Sequence, residues 1–405
     1  MKHSLHDLAI FGGAPAFANP LHVGRPNVGD RAALRARLDR MLDDRWLTNG
    51  GPFVTEFEQR VAAVLGVRHC VATCNATVAL DIAIAALGLS GEVIVPSFTF
   101  IATVHALQWR GITPVFCDIN PQTHNIDIDH IEPLITSRTS GILGVHVWGR
   151  ACNVLALADI ARRHRLRLLY DAAHAFGCSA EARMIGSFGD AEVFSFHATK
   201  FLNAFEGGAL VTNDDGIAEQ ARLTRNFGFV GEDEVSCVGI NGKMSEASAA
   251  MGLTSLDCMR GLIAVNRRNH ECYVAGLADV PGVRVAKYDD QEENNFQYVV
   301  LEVDDSASGL SRDRLQQILR AENILARRYF HPGCHRMEPY RTLYPNAQHS
   351  LPHTETLCAR VLLLPTGTTV DRSDVQKVCD ILRFAVANSR PIEVKARTLD
   401  HLTAP

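Results

Sequence analysis

At 405 residues the chain is long for one core, and a prior of ~150 residues per domain calls for two or three. Hydrophobic residues at 47% and charged residues at 21% give an ordinary globular balance that favours a folded protein over a disordered one. A net charge of −5 gives no electrostatic case for DNA or RNA, and no run of ~18 apolar residues reads as a membrane span. The eleven cysteines are odd in number and scattered, without a Cys-x-x-Cys pair. That pattern indicates reduced thiols in a cytoplasm, not a disulfide framework or a zinc site. The opening MKHSLHDLAIFGGAPAFANPL lacks a long apolar core behind a basic end, so no secretory signal is expected.

In chain order, HCVATC (69–74) predicts a strand, and ATVALDIAIAALGL (76–89) a helix with a glycine near its end. EVIVPSFTF predicts a second buried strand, broken at Pro96. TPVFCDI (113–119), GILGVHVWG (141–149), RLLYDAA (167–173), AEVFSF (191–196) and GALVTN (208–213) follow, separated by helical stretches such as NVLALADIARRHR. Strands alternating with helices predict an α/β fold with a mainly parallel central sheet flanked by helices. After about Arg260 the pattern changes to a long helix, RGLIAVNRRNHECYVAGLADV, then NNFQYVVLEVD, SRDRLQQILRAENI, ARVLLLPTG and DVQKVCDILRFAVA as strand, helix, strand and helix. This predicts a large domain over 31–260 and a smaller α+β C-terminal domain over 261–405, with 1–30 packing near the latter. The tail after Arg390 is polar and expected to be loosely held.

Ligands of open parallel sheets sit beyond the carboxyl ends of the strands. Those ends carry Ala76 and Thr77, Phe98 to Phe100, Asp171 to His174, and Ser195 to Lys200. CNATVAL turns from strand to helix at small residues, leaving free amides and a helix dipole suited to a phosphate, although ordinary strand–helix turns look the same. Asp171 ends an apolar strand, where an unpaired carboxylate is costly, so it needs a cation such as a protonated pyridine nitrogen, or serves as a helix N-cap. His174 could stack on a flat ring or be an ordinary packed histidine; with Asp171 it forms half a metal site, but no further ligand pair stands near it. Lys200 follows an apolar strand, and a partly buried amine can form a Schiff base with an aldehyde. A phosphate cradle, a carboxylate, a ring stacker and an amine in this order describe a site for pyridoxal 5′-phosphate.

LTNGGPFVTEFEQRVA, CNATVAL, PSFTFIAT, VHVWGR, DAAHAFG, FSFHATK, EGGALVT and NGKMSEASAAMGL resemble, in sequence order, the sugar aminotransferases of the DegT/DnrJ/EryC1/StrS family. The resemblance runs from about residue 8 to residue 385. It implies the pyridoxal-phosphate-dependent transferase fold type I, a homodimer with shared active sites, and transfer from L-glutamate to a dTDP-ketosugar. FSFHATKxxNxxEGG, DLAIFGG and YFHPGCHRMEPY are most similar to the branch that aminates carbon 4 of dTDP-4-keto-6-deoxyglucose in antibiotic deoxyaminosugar biosynthesis. By the resemblance Lys200 carries the cofactor and then acts as acid and base, and the cofactor passes through its pyridoxamine form in the second half-reaction. Asp171 holds the pyridine nitrogen, and His174, where many relatives have glutamine, stacks on the ring. Phe100 flanks the ring, Ala76, Thr77 and Ser195 bind the phosphate, and Asn241 reaches it from the neighbouring subunit. Relatives with histidine in place of the lysine are dehydrases; this chain keeps the lysine.

The ketosugar's pyrophosphate needs cations or donors, and Lys243, Arg327 and Arg328 are candidates beside a surface role for each. Asn49, Tyr329 and His331 are further candidates for lining the sugar pocket. His331 and His335 flank Cys334, but Pro332 and Gly333 exclude the helical two-histidine metal motif, so a substrate loop is expected and no metal. Trp46, Trp109 and Trp148 are expected to be packing residues, and Cys74 a buried structural thiol. The rivals are a lyase or desulfurase of the same fold type, which needs a reactive cysteine in a mobile loop, and a cofactor-binding regulator without catalysis. Within the aminotransferases, amination at carbon 3 competes with carbon 4, since both present a ketone to the same amine.

Overall fold

The computed structural model describes residues 2–403, with side chains described through Ala396. A seven-stranded sheet organises the first half: β1 His69–Thr73, β2 Glu92–Pro96, β3 Thr113–Cys117, β4 Thr139–Val145, β5 Arg167–Asp171, β6 Ala191–Ser195 and β7 Gly208–Thr212. Their spatial order is β1-β7-β6-β5-β4-β2-β3, and only β7 runs antiparallel to its neighbours. These strands are continuous apolar runs because both faces are covered, as parallel sheets require. One face packs with Phe57, Val61, Leu168, Tyr170 and Phe194, the other with Leu80, Leu107, Val95, Leu143 and Val193.

Helix α1 (Ala76–Ala86) starts where Asn75 caps it, its side chain accepting from the Val78 amide. Helix α2 (Ile101–Trp109) follows β2. The stretch expected as a strand to residue 149 stops at Val145; Val147–Gly149 is a tight turn with Trp148 at φ 65°. Helix α3 runs Glu246–Leu277 and carries the chain through the expected domain boundary at 260/261. It begins well before Arg260 because Ser245 caps it, accepting from the Ser248 amide.

Beyond it lies a three-stranded antiparallel sheet: β8 Val283–Val285, β9 Val299–Val303 and β10 Val361–Leu364. Only residues 299–303 of the expected 294–304 strand join that ladder. Ahead of it the Asn294 and Asn295 side chains take the amides of Phe296 and Gln297. A third core forms around Tyr273, Leu301, Leu315, Leu362 and Leu382, and Leu8 and Phe17 from the N-terminus enter it. The Glu322 carboxylate accepts the amides of Ala9 and Ala16, pinning that segment. The tail after Arg390 is not loose: Ser389–Thr403 is helical, with Ile392 and Ala396 buried, and residues 404–405 of the expected tail lie outside the described residues. No described helix is long and apolar enough to cross a membrane.

Candidate active site

The carboxyl ends of β1, β2, β5 and β6 border a cavity of about 580 Å³. Ala76, Thr77, Ser195, Asp171, His174 and Lys200 all line it, and Phe100, Arg327 and Tyr329 complete the predicted residues that converge. Asn75 takes the amides of Val78 and Ala79 with its side chain and carbonyl, so those of Ala76 and Thr77 have no acceptor in the helix. Ser195 accepts from the His197 amide at 3.4 Å, and among the described residues nothing takes its own proton. Gly208, at the start of β7, lets this turn approach: a Cβ there would lie 2.5 Å from the Ala76 nitrogen.

Asp171 is 6% exposed. Its Oδ2 accepts from the Thr103 hydroxyl at 2.7 Å and its Oδ1 from the Ala173 amide at 3.1 Å. Burial pushes its pKa up, against those two donors and the charges of Lys200 and His146. Among the described residues no ion pair reaches it, so the carboxylate is set to receive a cation. The Lys200 amine is pulled down to about 8 by burial, with Asp171 and Tyr329 acting the other way. Near neutral pH such an amine carries a much larger neutral fraction than an ordinary lysine.

His174 is buried, and burial followed by the Lys200 charge moves its pKa well below the usual value, so the ring is neutral. Its Nδ1 accepts from the Trp148 amide at 3.3 Å, which leaves the proton on Nε2. The His174 ring lies 11° from the plane of Trp148 and 7° from that of Phe330, with centroids 5.9 and 5.8 Å away. Tyr298 packs edge-on to it at 4.7 Å. These aromatic planes, the acceptor-free amides and the uncompensated carboxylate fit pyridoxal 5′-phosphate: an anion at the helix end, a flat ring, and a protonated ring nitrogen at Asp171.

Five predicted residues do not line this cavity, Arg328 among them, which pairs with Asp313 at 2.9 Å. Asn49 is exposed at φ 64°, and Asn241 is exposed in an isolated bridge with Asn226. Lys243 donates to Asn226 Oδ1 at 2.9 Å and sits over the Phe227 ring. His331 is held outside by Arg312 and the Cys358 carbonyl. His335 bridges Ser97 and Glu355, and no metal-ligating group of three or more occurs among the described residues. The tryptophans divide: Trp148 is fully buried, while Trp46 and Trp109 are 51% and 67% exposed, so packing does not account for those two. Cys74 is half-buried rather than buried, and burial raises its thiol pKa.

Sequence reasoning missed Thr103, Tyr298 and Phe330, and left Arg327 without support. Thr103 had a signal, a hydroxyl one helical turn after Thr99. Tyr298 and Phe330 had none, because they reach Lys200 and His174 from about a hundred or more residues downstream. Arg327 lines the cavity with its guanidinium over the Tyr329 ring, and no ion pair engages it among the described residues.

Residues 30–383 match the DegT/DnrJ/EryC1/StrS aminotransferase family. A dTDP-4-amino-4,6-dideoxy-D-glucose transaminase of Shigella dysenteriae is 36% identical over 92% of this chain and 99% of its own length. A GDP-perosamine synthase of Caulobacter vibrioides is also 36% identical, over 83% of this chain and 91% of its own. The crystal structure of DesI in the presence of its TDP-sugar product superposes with a TM-score of 0.93 at 55% identity, covering 98% of this chain and all of that one. The sheet order and these superpositions give the fold as type I of the pyridoxal-phosphate-dependent transferases. The chain belongs to the DegT/DnrJ/EryC1/StrS aminotransferase family.

Proposed function

We propose that the chain transfers an amino group from L-glutamate to the 4-keto carbon of dTDP-4-keto-6-deoxy-D-glucose, in deoxyaminosugar biosynthesis of the kind that serves antibiotics. The observation that carries this reading is the pairing, in one cavity, of an amine depressed to about 8 at Lys200 with the buried, uncompensated carboxylate of Asp171. Carbon 4 and the dTDP group are supported by the transaminase of Shigella dysenteriae, and the nucleotide also by the 55% identity to DesI, solved with its TDP-sugar product. The 36% identity to a GDP-sugar enzyme shows that similarity at that level leaves the nucleotide open.

Pyridoxal 5′-phosphate, when bound, supplies an aldehyde for amines and a ring that accepts the electrons of a carbanion. The chain's own groups do the rest. Ala76, Thr77 and Ser195 hold the phosphate, and Phe100 and His174 flank the ring. Asp171 keeps the ring nitrogen protonated. Lys200, as a free amine, would take the proton from glutamate's α-carbon and, in the return half, deliver one to carbon 4 of the sugar. Arg327 meets the anionic groups of both substrates, the carboxylates of glutamate and the pyrophosphate of the sugar nucleotide.

A homodimer in the cytoplasm completes the proposal. Phe205, Phe227, Phe229 and Val238 are exposed, and burial against a second copy would cover such surface. Asn241, exposed and off its own chain's cavity, is assigned to the phosphate of the second copy. His331 drops out of the substrate set, since it does not line the cavity and its Nδ1 faces Arg312 or the Cys358 carbonyl according to its tautomer.

The test is incubation of the full chain with dTDP-4-keto-6-deoxyglucose, L-glutamate and pyridoxal 5′-phosphate, followed by NMR of the sugar. An amine at carbon 4 with 2-oxoglutarate released is expected. An amine at carbon 3, or none, overturns the proposal. Lys200→Ala should abolish turnover and the yellow colour that develops with the cofactor.

A further inference from the structure

The segment just ahead of β9 grips Lys200 from two sides. Gln297 Oε1 accepts the amide of Phe201, the residue after the lysine, at 3.0 Å. The next residue, Tyr298, places its hydroxyl 3.4 Å from Lys200 Nζ. That distance is longer than the ~2.9 Å of a strong N–H···O bond, but it is the hydrogen bond the structure records for this amine. Gln297 and Tyr298 are each 7% exposed, and the part-buried Lys200 opens with Tyr298 onto the cavity.

The grip is itself braced. Asn295 donates to the carbonyls of His174 and Phe176 at 2.8 and 3.0 Å, while its Oδ1 accepts the Gln297 amide at 2.9 Å. Tyr288 donates to the Tyr298 carbonyl at 2.8 Å. The Tyr298 ring stands edge-on to His174 and to Trp148 at 4.7 and 5.4 Å. Its orientation is therefore set by His174, which borders the cavity, and by the buried Trp148. Burial moves the phenol's pKa upward, so the hydroxyl keeps its proton at neutral pH. A phenol that keeps its proton can accept from an ammonium or donate to a neutral amine.

We propose that Tyr298 is a positioning residue for Lys200: its hydroxyl holds the amine at the cavity whenever Nζ is not covalently engaged, while Gln297 fixes the backbone behind it. An amino transfer frees and recaptures this lysine in every cycle, and an amine swinging between rotamers would meet the aldehyde carbon less often. The inference rests on the reading of Lys200 as the reacting amine.

The experiment compares wild type, Tyr298→Phe and Lys200→Ala as full chains freed of cofactor. Two quantities are read: the rate at which pyridoxal 5′-phosphate condenses with the protein (a C=N bond formed, one water lost), and the affinity for pyridoxamine 5′-phosphate, which has no aldehyde. Tyr298→Phe keeps the ring that packs on His174 and Trp148 and removes only the hydroxyl. Expected is condensation slowed about tenfold with pyridoxamine-phosphate affinity within about twofold, and a matching fall in kcat with KM little changed. Unchanged condensation overturns the proposal. So does an equal loss of pyridoxamine-phosphate affinity, which would mark a general disturbance of the cavity. Lys200→Ala reports on the underlying reading alone: condensation that survives there sinks the lysine assignment, whatever Tyr298→Phe does.

Discussion

The Thr103 hydroxyl stands 2.7 Å from Asp171 Oδ2, and the Thr99 hydroxyl stands 2.8 Å behind it. A hydroxyl has one proton, so with Thr103 donating to the ionised carboxylate, Thr99 must be the donor to Thr103. Thr99 lies just ahead of α2 and Thr103 in its first turn, and the two form a relay that ends on the acid expected to hold the ring nitrogen. Asp171 is thereby aimed by neutral donors before any ligand arrives, with no ion pair to it among the described residues.

Replacing Thr103 with Val removes that donor at nearly constant volume. Asp171 then keeps one donor, the Ala173 amide, and its pKa rises further. The ring nitrogen is held protonated less firmly. We expect kcat to fall about tenfold and stability to fall by about 1–2 kcal/mol. Steady-state kinetics and urea unfolding check the pair; an unchanged kcat would remove Thr103 from the site.

Lys200 also makes a prediction about pH. In the folded chain it loses its proton near 8, whereas in the unfolded chain it does so near the ordinary 10.5. Between those values the unfolded state holds one more proton, so stability rises with pH; below 8 both states hold it and no slope arises. The cofactor-free wild type should therefore gain on Lys200→Met by on the order of 2 kcal/mol from pH 8 to pH 10. Parallel stability curves across that window would mean that the amine is not depressed.

Gly208 tests the phosphate cradle without touching a ligand group. A methyl there meets the Ala76 nitrogen at 2.5 Å and the Asn75 carbonyl oxygen at 2.6 Å, both backbone atoms with little freedom. Gly208→Ala should cost about 1–3 kcal/mol of stability. It should also push the Ala76 and Thr77 amides out of line, lowering affinity for pyridoxal 5′-phosphate more than tenfold. Equilibrium dialysis of the variant measures this, and undiminished affinity would relocate the phosphate.

Arg327 gives a different kinetic signature. Seated over Tyr329 on the cavity wall, it would bind substrate and transition state alike. Arg327→Gln should raise KM for both glutamate and the sugar nucleotide about tenfold, with kcat within about threefold. A fall in kcat alone would place it in the chemistry instead.

Much of this protein was written along the chain. The seven strands were legible because each is a short apolar run between helical periods, and a parallel sheet covered on both faces needs such runs. Asp171, Ser195 and the Ala76 turn followed from the same reading, since strand ends of one direction share one edge. The helix start at Glu246 and the helical tail were not legible. One depends on a cap by Ser245, the other on burial of Ile392 and Ala396, and composition records neither.

Local order along the chain thus determined the sheet, its carboxyl edge and the residues the strands deliver there, because hydrophobic period and turn chemistry act over a few residues. Only the tertiary structure decided what surrounds them. Tyr298 and Gln297 come to Lys200 from 98 and 96 residues downstream of their partners. Phe330 comes to His174, and Arg327 to the cavity wall, from beyond α3. Those contacts arise where the three-stranded sheet packs beside the large one, and the depressed amine and raised acid follow from that burial, which no single segment carries.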